Sequence, residues 1–161
     1  AENVIPEIPI AGGSMGLGLP AAVGIALAKK LKGEDGKVYC LMSDGEMQIG
    51  TTWESMLIAS KHKLNNLVVL EDRNHLQAMG KLEDILPAEF PAVYGKWDYR
   101  SINGHNYQEI WNALNFENSN PYFISCETIK GKGVSFMEGN NLYHYKQLSS
   151  EEYNKALACL Q

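Results

Sequence analysis

Short apolar runs separated by helix-like segments are the feature that most constrains how this chain folds. Residues 37–42 and 67–70 are continuous apolar runs, which are typical of strands buried on both faces of a sheet. Residues 122–129 form a further strand pattern and residues 98–102 a weaker one. The segments between these runs are long enough for crossover connections. The sequence therefore predicts an α/β fold, a doubly wound parallel sheet with helices on both faces.

The connecting segments predict the helices. Helical patterns cover residues 21–31, 51–62, 107–115 and 150–160, while 1–13 reads as an extended entry segment and 75–97 as irregular. Ser14 is the predicted cap of the first helix, because a serine side chain accepts well at a helix N-terminus. In the third helix Ile110, Trp111 and Leu114 are expected to face inward. All of this fits one domain over residues 1–161.

Composition excludes several classes of function. The net charge is −5 and the pI about 5.4, which argues against a nucleic-acid binder that neutralises phosphates with a basic face. The sequence has no apolar run of membrane-spanning length and shows no secretory leader, so we expect a cytoplasmic protein with no membrane partner. Cys40, Cys126 and Cys159 are odd in number and far apart, which favours reduced thiols.

Polar clusters follow the predicted strands at residues 43–46, 72–74, 103–105 and 130–132. Ligands of parallel α/β sheets bind beyond the carboxyl ends of the strands, where these clusters fall. Asp44 and Asn74 would offer a carboxylate and a carboxamide oxygen from neighbouring strands, a donor set that suits Mg²⁺ or Ca²⁺. The alternative is a pair of ordinary turns, since Asp, Gly and Asn favour turns.

A glycine-rich loop at residues 12–18 precedes the first helix and could hold phosphate at the helix N-terminus. Its glycine spacing does not match the GxGxxG pattern of dinucleotide-binding folds. A second glycine-rich stretch, residues 131–133, lacks the full P-loop pattern.

The order of the motifs is more specific than any one of them. The chain reads Asp44-Gly45-Glu46, then Trp53-Glu54, then Lys63-Leu64-Asn65-Asn66-Leu67, then Asp72-Arg73-Asn74-x-Leu76-Gln77. Upstream stands Gly13-Ser14-Met15-Gly16, and downstream stand Asn103-Gly104-His105, the segment 128–138 (TIKGKGVSFME) and His144. This series resembles the thiamine-diphosphate motif and flanking elements of transketolases over nearly the whole chain. It is most similar to the N-terminal, diphosphate-binding subunits of split transketolases.

The resemblance implies a set of roles for individual residues. Asp44, Asn74 and the Leu76 carbonyl would hold Mg²⁺ (or Ca²⁺) against the diphosphate, and the Gly45 amide would bind a phosphate oxygen. Cofactor contacts would also come from the remaining motif residues, namely Gly13, Ser14, Met15, Glu46 and Ile129. His144 would be catalytic, near the diphosphate or the donor ketose.

The resemblance also implies a reaction and a partner. The expected activity is transfer of a two-carbon ketol unit from a ketose to an aldose, with sugar phosphates as substrates. The glutamate that activates the cofactor would come from a pyrimidine-binding, C-terminal subunit, in a homodimer or heterotetramer. The family's usual upstream segment has no counterpart here. An apolar stripe of Ile49, Trp53, Met56 and Leu57 predicts the association surface.

Two departures from the family pattern keep other interpretations open. Ile49 stands where a glutamate is usual, and Leu17 where a histidine or glutamine is common. These favour, as an alternative, a non-catalytic homologue that binds the cofactor or acts as a scaffold. A further alternative is another thiamine-diphosphate enzyme, a decarboxylase or dehydrogenase, although the segment 128–138 favours transketolase.

Overall fold

A four-stranded parallel sheet organises the structure, a computed structural model that describes residue 5 and residues 8–87 and 96–161. Its strands are β1 (Val38–Ser43), β2 (Leu67–Arg73), β5 (Asp98–Asn103) and β6 (Tyr122–Glu127). They lie side by side in the order β1-β2-β6-β5. All three pairings are parallel, so every strand presents its carboxyl end at the same edge of the sheet. The predicted doubly wound parallel sheet is confirmed.

Two helices, α1 (Gly18–Lys32) and α2 (Gly50–Lys61), cover one face of the sheet. Alternate residues of the strands meet them, because successive side chains of a strand point to opposite faces. The resulting core contains Leu19, Ala26, Cys40, Met42, Met56, Val69 and Phe123. This packing places the start of α1 and the start of α2 at the carboxyl edge of β1.

A further helix, α4 (Tyr107–Leu114), covers the opposite face. The other set of alternating strand residues forms a smaller core there, made of Val68, Ile102, Ala113, Tyr122 and Ile124. Helices therefore lie on both faces, as the sequence predicts. The Asn106 side chain caps α4 by accepting from the backbone N–H groups of Gln108 and Glu109.

The remaining elements surround the carboxyl edge. A two-stranded hairpin joins β3 (Leu76–Gln77) to β4 (Gly80–Lys81) and leads into the short helix α3 (Leu82–Ile85). Helix α5 (Ser150–Cys159) closes the chain behind a capping box of Ser149 and Glu152. The prediction of an irregular segment over 75–97 missed the hairpin and α3, and its residues 88–95 lie outside the described part of the chain. The same holds for residues 1–4, 6 and 7 of the predicted entry segment.

Three side-chain predictions are wrong. Ser14 does not cap α1, which begins at Gly18 with Leu17 at its N-cap and no side-chain cap. Trp111 is 64% exposed, so only Ile110 and Leu114 of the predicted stripe turn toward the core. Met56 is fully buried between α2 and the sheet and cannot belong to an association surface, whereas Leu57 is half exposed. The reason is that each helix packs at an angle set by its neighbours, which an ideal helical period does not specify.

Candidate functional site

Asp44 and the turn after β2 meet at the carboxyl edge of the sheet. Ser43, the last residue of β1, is in register with Asp72 of β2, so Asp44 enters the edge beside residues 73–76. Its Oδ2 accepts a hydrogen bond of 2.7 Å from the backbone N–H of His75. The expectation that β1 and β2 are neighbours is confirmed, and the hydrogen bond brings the Asp44 carboxylate to the segment that contains Asn74 and Leu76.

The turn itself has an unusual backbone. His75 has a φ of 61°, in the left-handed region that a non-glycine residue adopts at some cost. This conformation aims its N–H at Asp44 while its carbonyl accepts from the N–H of Leu82 at 2.9 Å. Oδ1 of Asn74 accepts from the N–H of Leu76 at 3.1 Å, which fixes the asparagine side chain over the same turn.

Asp44 is buried, with 1% of its surface exposed. Burial raises the pKa of its carboxyl group, while the backbone N–H groups of His75 and Gly45 act in the opposite direction and Asp72 adds to the increase. A buried carboxylate in this state gains from a cation placed beside it. The electrostatics of Asp44 therefore favour a positively charged ligand.

Gly45 forms a cradle that only a residue without a side chain leaves open. A Cβ on Gly45 would lie 3.1 Å from Cε of Met15 and 3.5 Å from Oε1 of Gln77. Met15 thus lies above the backbone of the Asp44–Gln48 3₁₀ turn, with nearly half of its own surface still exposed. A ligand held in this cradle can approach the Gly45 backbone directly.

Glu46 ties the glycine-rich loop to this edge. Its Oε2 accepts from the N–H of Ser43 at 2.9 Å, and its Oε1 from the N–H of Gly16 at 3.0 Å. Thr51 adds a hydrogen bond of 2.7 Å to the carbonyl of Gly16. The Glu46 side chain therefore positions the loop. Within that loop, Gly13 and Ser14 are exposed at the mouth of the site.

Ile129 and Asn74 share a cavity of about 470 Å³ that opens at the same edge. His105 also lines it, and its Nε2 accepts a 2.8 Å hydrogen bond from the backbone N–H of Ile129. Gly104 packs so tightly that a Cβ would lie 3.0 Å from Cβ of Cys126. The clusters at 72–74, 103–105 and 129–131 are thus brought together by adjacent strands.

His144 lies farther along this edge. It ends the 3₁₀ turn Asn141–His144, is exposed, and packs its ring against Tyr145 with centroids 4.6 Å apart. Its connection to the site runs through Asn141, whose Nδ2 donates to the carbonyl of Ala78 in the β3–β4 hairpin at 3.1 Å. The hairpin therefore links His144 to the turn that follows β2.

The donor set at this edge fits a hard divalent cation and a diphosphate. It comprises one carboxylate at Asp44, one carboxamide at Asn74 and the carbonyl of Leu76, all oxygen donors. Among the described residues there is no cluster of three or more His, Cys, Asp and Glu side chains suited to a metal. The donor set at Asp44 has only one side chain of those types, and its open cradle at Gly45 leaves room for phosphate oxygens.

Comparison with known proteins defines the family. The sequence profile described as "Transketolase, thiamine diphosphate binding domain" matches residues 2–159. The chain belongs to the transketolase family. Two relatives are subunits of split enzymes: that of the apulose-4-phosphate transketolase of Phocaeicola vulgatus, 35% identical over 95% of this chain, and that of the 6-deoxy-6-sulfo-D-fructose transketolase of Clostridium sp., 36% identical over 96%. The chain spans 57% and 58% of the lengths of these two relatives.

Whole transketolases are also similar to this chain. Human transketolase is 35% identical over 86% of the chain, which corresponds to 23% of the human protein. The crystal structure of transketolase from Campylobacter jejuni superposes with a TM-score of 0.86 at 32% identity, covering 92% of this chain and 25% of that one. The likeness therefore extends from motifs to the arrangement of strands and helices.

Sequence reasoning missed two residues that shape the site. Gln77 lies over Gly45, and its place in the transketolase motif was the available signal. His75 supplies the N–H that holds Asp44, and its only signal was that histidine tolerates the left-handed region better than most residues.

For the described residues, no helix has the length and apolar character needed to cross a bilayer.

Proposed function

We propose that this chain is the thiamine-diphosphate- and Mg²⁺-binding part of a split transketolase, which transfers a two-carbon ketol unit from a ketose to an aldose. The observation that carries the proposal is the contact between Asp44 and the 74–76 turn beneath the open Gly45 backbone. A buried carboxylate, a carboxamide and an exposed main-chain amide then face one region, as a metal diphosphate requires.

The chain's own residues divide this work. Asp44, Asn74 and the Leu76 carbonyl hold the metal, and the Gly45 N–H binds a phosphate oxygen. Met15 and Ile129 flank the cofactor's rings with apolar surface, while Gly13 and Ser14 lie at the entrance. Glu46 is assigned to the cofactor site through the Gly16 loop that it holds in place. His144 is assigned to the donor ketose, as an exposed imidazole at the rim.

Thiamine diphosphate, when bound, supplies the carbanion chemistry that cleaves and forms the C–C bond. The chain would supply the diphosphate half of the pocket, and a pyrimidine-binding partner the other half. Two relatives named as transketolase subunits support this division. We expect a homodimer or heterotetramer with Leu57 and Ile49 near the contact, and a cytoplasmic location, which the three free cysteines favour.

The proposed substrates are sugars with an anionic group. The names of the two relatives specify apulose-4-phosphate and 6-deoxy-6-sulfo-D-fructose, a phosphate and a sulfonated sugar. We propose phosphorylated ketoses and aldoses, or a less common anionic sugar, for this chain.

Titration of the purified chain with thiamine diphosphate in Mg²⁺, followed by calorimetry, tests the proposal. Asp44→Asn keeps an acceptor for the His75 N–H but removes the charge, so cofactor binding should be lost while the fold persists. Asp35→Asn, at an exposed turn before β1, is the matched control and should bind as the wild type does. Unchanged affinity in Asp44→Asn would show that the metal site is wrongly assigned.

Activity assays test the division of labour. The isolated chain should show no ketol transfer, because the activating glutamate is assigned to the partner. Measurable turnover by the purified chain alone would refute that assignment.

A non-catalytic, cofactor-binding homologue is the second candidate, and Ile49 favours it. Its side chain is half buried against Gly16, in the position where the family pattern has an acid. A carboxylate there would lie near the partner's activating glutamate, and two close carboxylates tend to share a proton. In a weakened enzyme Ile49→Glu should raise the rate of the assembled complex. A reassigned subunit should bind cofactor and remain inactive with this substitution.

A further inference from the structure

Glu127 joins two residues on either side of Asn74. It is the last residue of β6 and is in register with Arg73, the last residue of β2. Its Oε1 lies 3.2 Å from Nε of Arg73, and its Oε2 lies 2.8 Å from Nε2 of His75. One carboxylate therefore holds the residues before and after the proposed metal ligand.

The arginine end of this arrangement is anchored in the protein interior. The Arg73 side chain is 14% exposed, and its Nη1 lies 3.8 Å from Oε1 of Glu71, which is buried. Glu71 in turn accepts a 2.7 Å hydrogen bond from the hydroxyl of Ser125 on β6. Because β6 lies between β2 and β5 and packs into both cores, Glu127 is attached to a rigid part of the sheet.

The histidine end holds a strained backbone. His75 must stay at a φ of 61° to direct its N–H at Asp44, a conformation that costs a non-glycine residue free energy. A left-handed residue persists when its surroundings fix it, and the Glu127 contact fixes the His75 side chain. The N–H of Thr128 adds a 3.0 Å hydrogen bond to the carbonyl of Arg73 on the other side of Asn74.

We infer that Glu127 is a positioning residue for the proposed cofactor site: by holding Arg73 and His75 together it fixes the 74–76 turn against Asp44, so that this turn is preorganised for a metal diphosphate. The inference rests on the proposed function. Glu127 touches neither metal nor cofactor and acts through His75, in the way that residues behind metal ligands commonly set affinity.

Calorimetric titration with Mg²⁺ and thiamine diphosphate tests the inference in three variants. Glu127→Ala removes both contacts and should weaken binding about tenfold or more. Glu127→Gln retains an acceptor and a donor of the same size and should recover part of the lost affinity. Glu151→Ala is the matched control, because it removes a surface carboxylate paired with Lys155 in α5, and it should bind as the wild type does.

The His75→Gly variant covers the case in which Glu127→Ala does not fold. Glycine adopts the left-handed conformation without strain, so this variant keeps the backbone accessible while removing the imidazole that Glu127 holds. We expect weaker binding with an unchanged thermal midpoint of the cofactor-free chain. A purely structural role of the Glu127–His75 contact would instead lower that midpoint and leave affinity intact.

The outcomes separate the two proposals. If the wild type binds and Asp44→Asn does not, but Glu127→Ala and His75→Gly bind as tightly as the wild type, the positioning role is refuted and the function stands. If the wild type itself does not bind thiamine diphosphate with Mg²⁺, the proposed function fails, and this inference with it.

Discussion

The backbone N–H of His75 donates a 2.7 Å hydrogen bond to Oδ2 of Asp44, although the two residues are 31 positions apart in the chain. Neither β1 nor β2 makes this contact alone. It requires their parallel pairing, which brings both carboxyl ends to one edge, and the left-handed backbone of His75. The proposed metal site is therefore a property of two adjacent strand ends.

Gly45→Ala should weaken binding of thiamine diphosphate without unfolding the chain. The added methyl group would enter the cradle 3.1 Å from Cε of Met15, a flexible atom that can shift. Calorimetric titration in Mg²⁺ measures the effect. Gly24→Ala is the control, because an added Cβ there meets nothing within 4 Å on the exposed side of α1. It should leave binding unchanged and raise the free energy of unfolding by about 0.5–1 kcal/mol. Equal binding by Gly45→Ala would contradict the cradle.

Gly16→Ala should lower the free energy of unfolding by about 2–4 kcal/mol, combining left-handed strain with overpacking. Gly16 has a φ of 79°, and a Cβ there would collide with Cγ2 of Ile49 and lie 2.8 Å from Oγ1 of Thr51. Chemical denaturation of the single variants and the Gly16→Ala/Ile49→Ala double variant measures the coupling. The loss should be smaller in the Ile49→Ala background, because only the strain remains. Gly12→Ala, which meets nothing within 4 Å, should be close to neutral. Strict additivity would show that Ile49 does not pack on Gly16.

Trp111→Ala should change the free energy of unfolding by less than about 0.5 kcal/mol, since its side chain is 64% exposed. Phe123→Ala should cost about 3–5 kcal/mol, because that ring is fully buried in the larger core. Denaturant titration of both variants tests the orientation of α4. A large loss in Trp111→Ala would restore the inward orientation that the sequence predicts.

Acid should weaken the attachment of α5. The ammonium group of Lys146, followed by the backbone N–H of Ser149, lowers the pKa of Glu152 to about 2 from its ordinary 4.5. A lowered pKa in the folded state contributes stability above pH 4.5, and that contribution is lost as the pH falls toward 2. Hydrogen exchange of the α5 amides, measured between pH 5 and pH 2 in steps, should show protection that falls over this window. The fall should be absent in Glu152→Gln, and an identical fall in that variant would assign the effect to another group.

The fold was more predictable from sequence than the site geometry. Continuous apolar runs identify β1 and β2 because both faces of these strands are buried. The hairpin after β2 escaped prediction because its strands are two residues each, too short for any period to register. The orientation of Trp111 was wrong because an amphipathic pattern gives the apolar side of a helix but not which edge of that side meets the sheet.

What the sequence alone determined is the class of fold, the edge at which a ligand would bind and the transketolase family, since these depend on local patterns and on the order of motifs. Tertiary structure decided the rest. Met15 lies over Gly45, Glu46 holds Gly16, and Glu127 joins Arg73 to His75 only after the strands pair in register. The physical reason is that these contacts connect residues far apart in the chain through rigid packing, and local sequence carries no information about register or about the angle at which a helix packs.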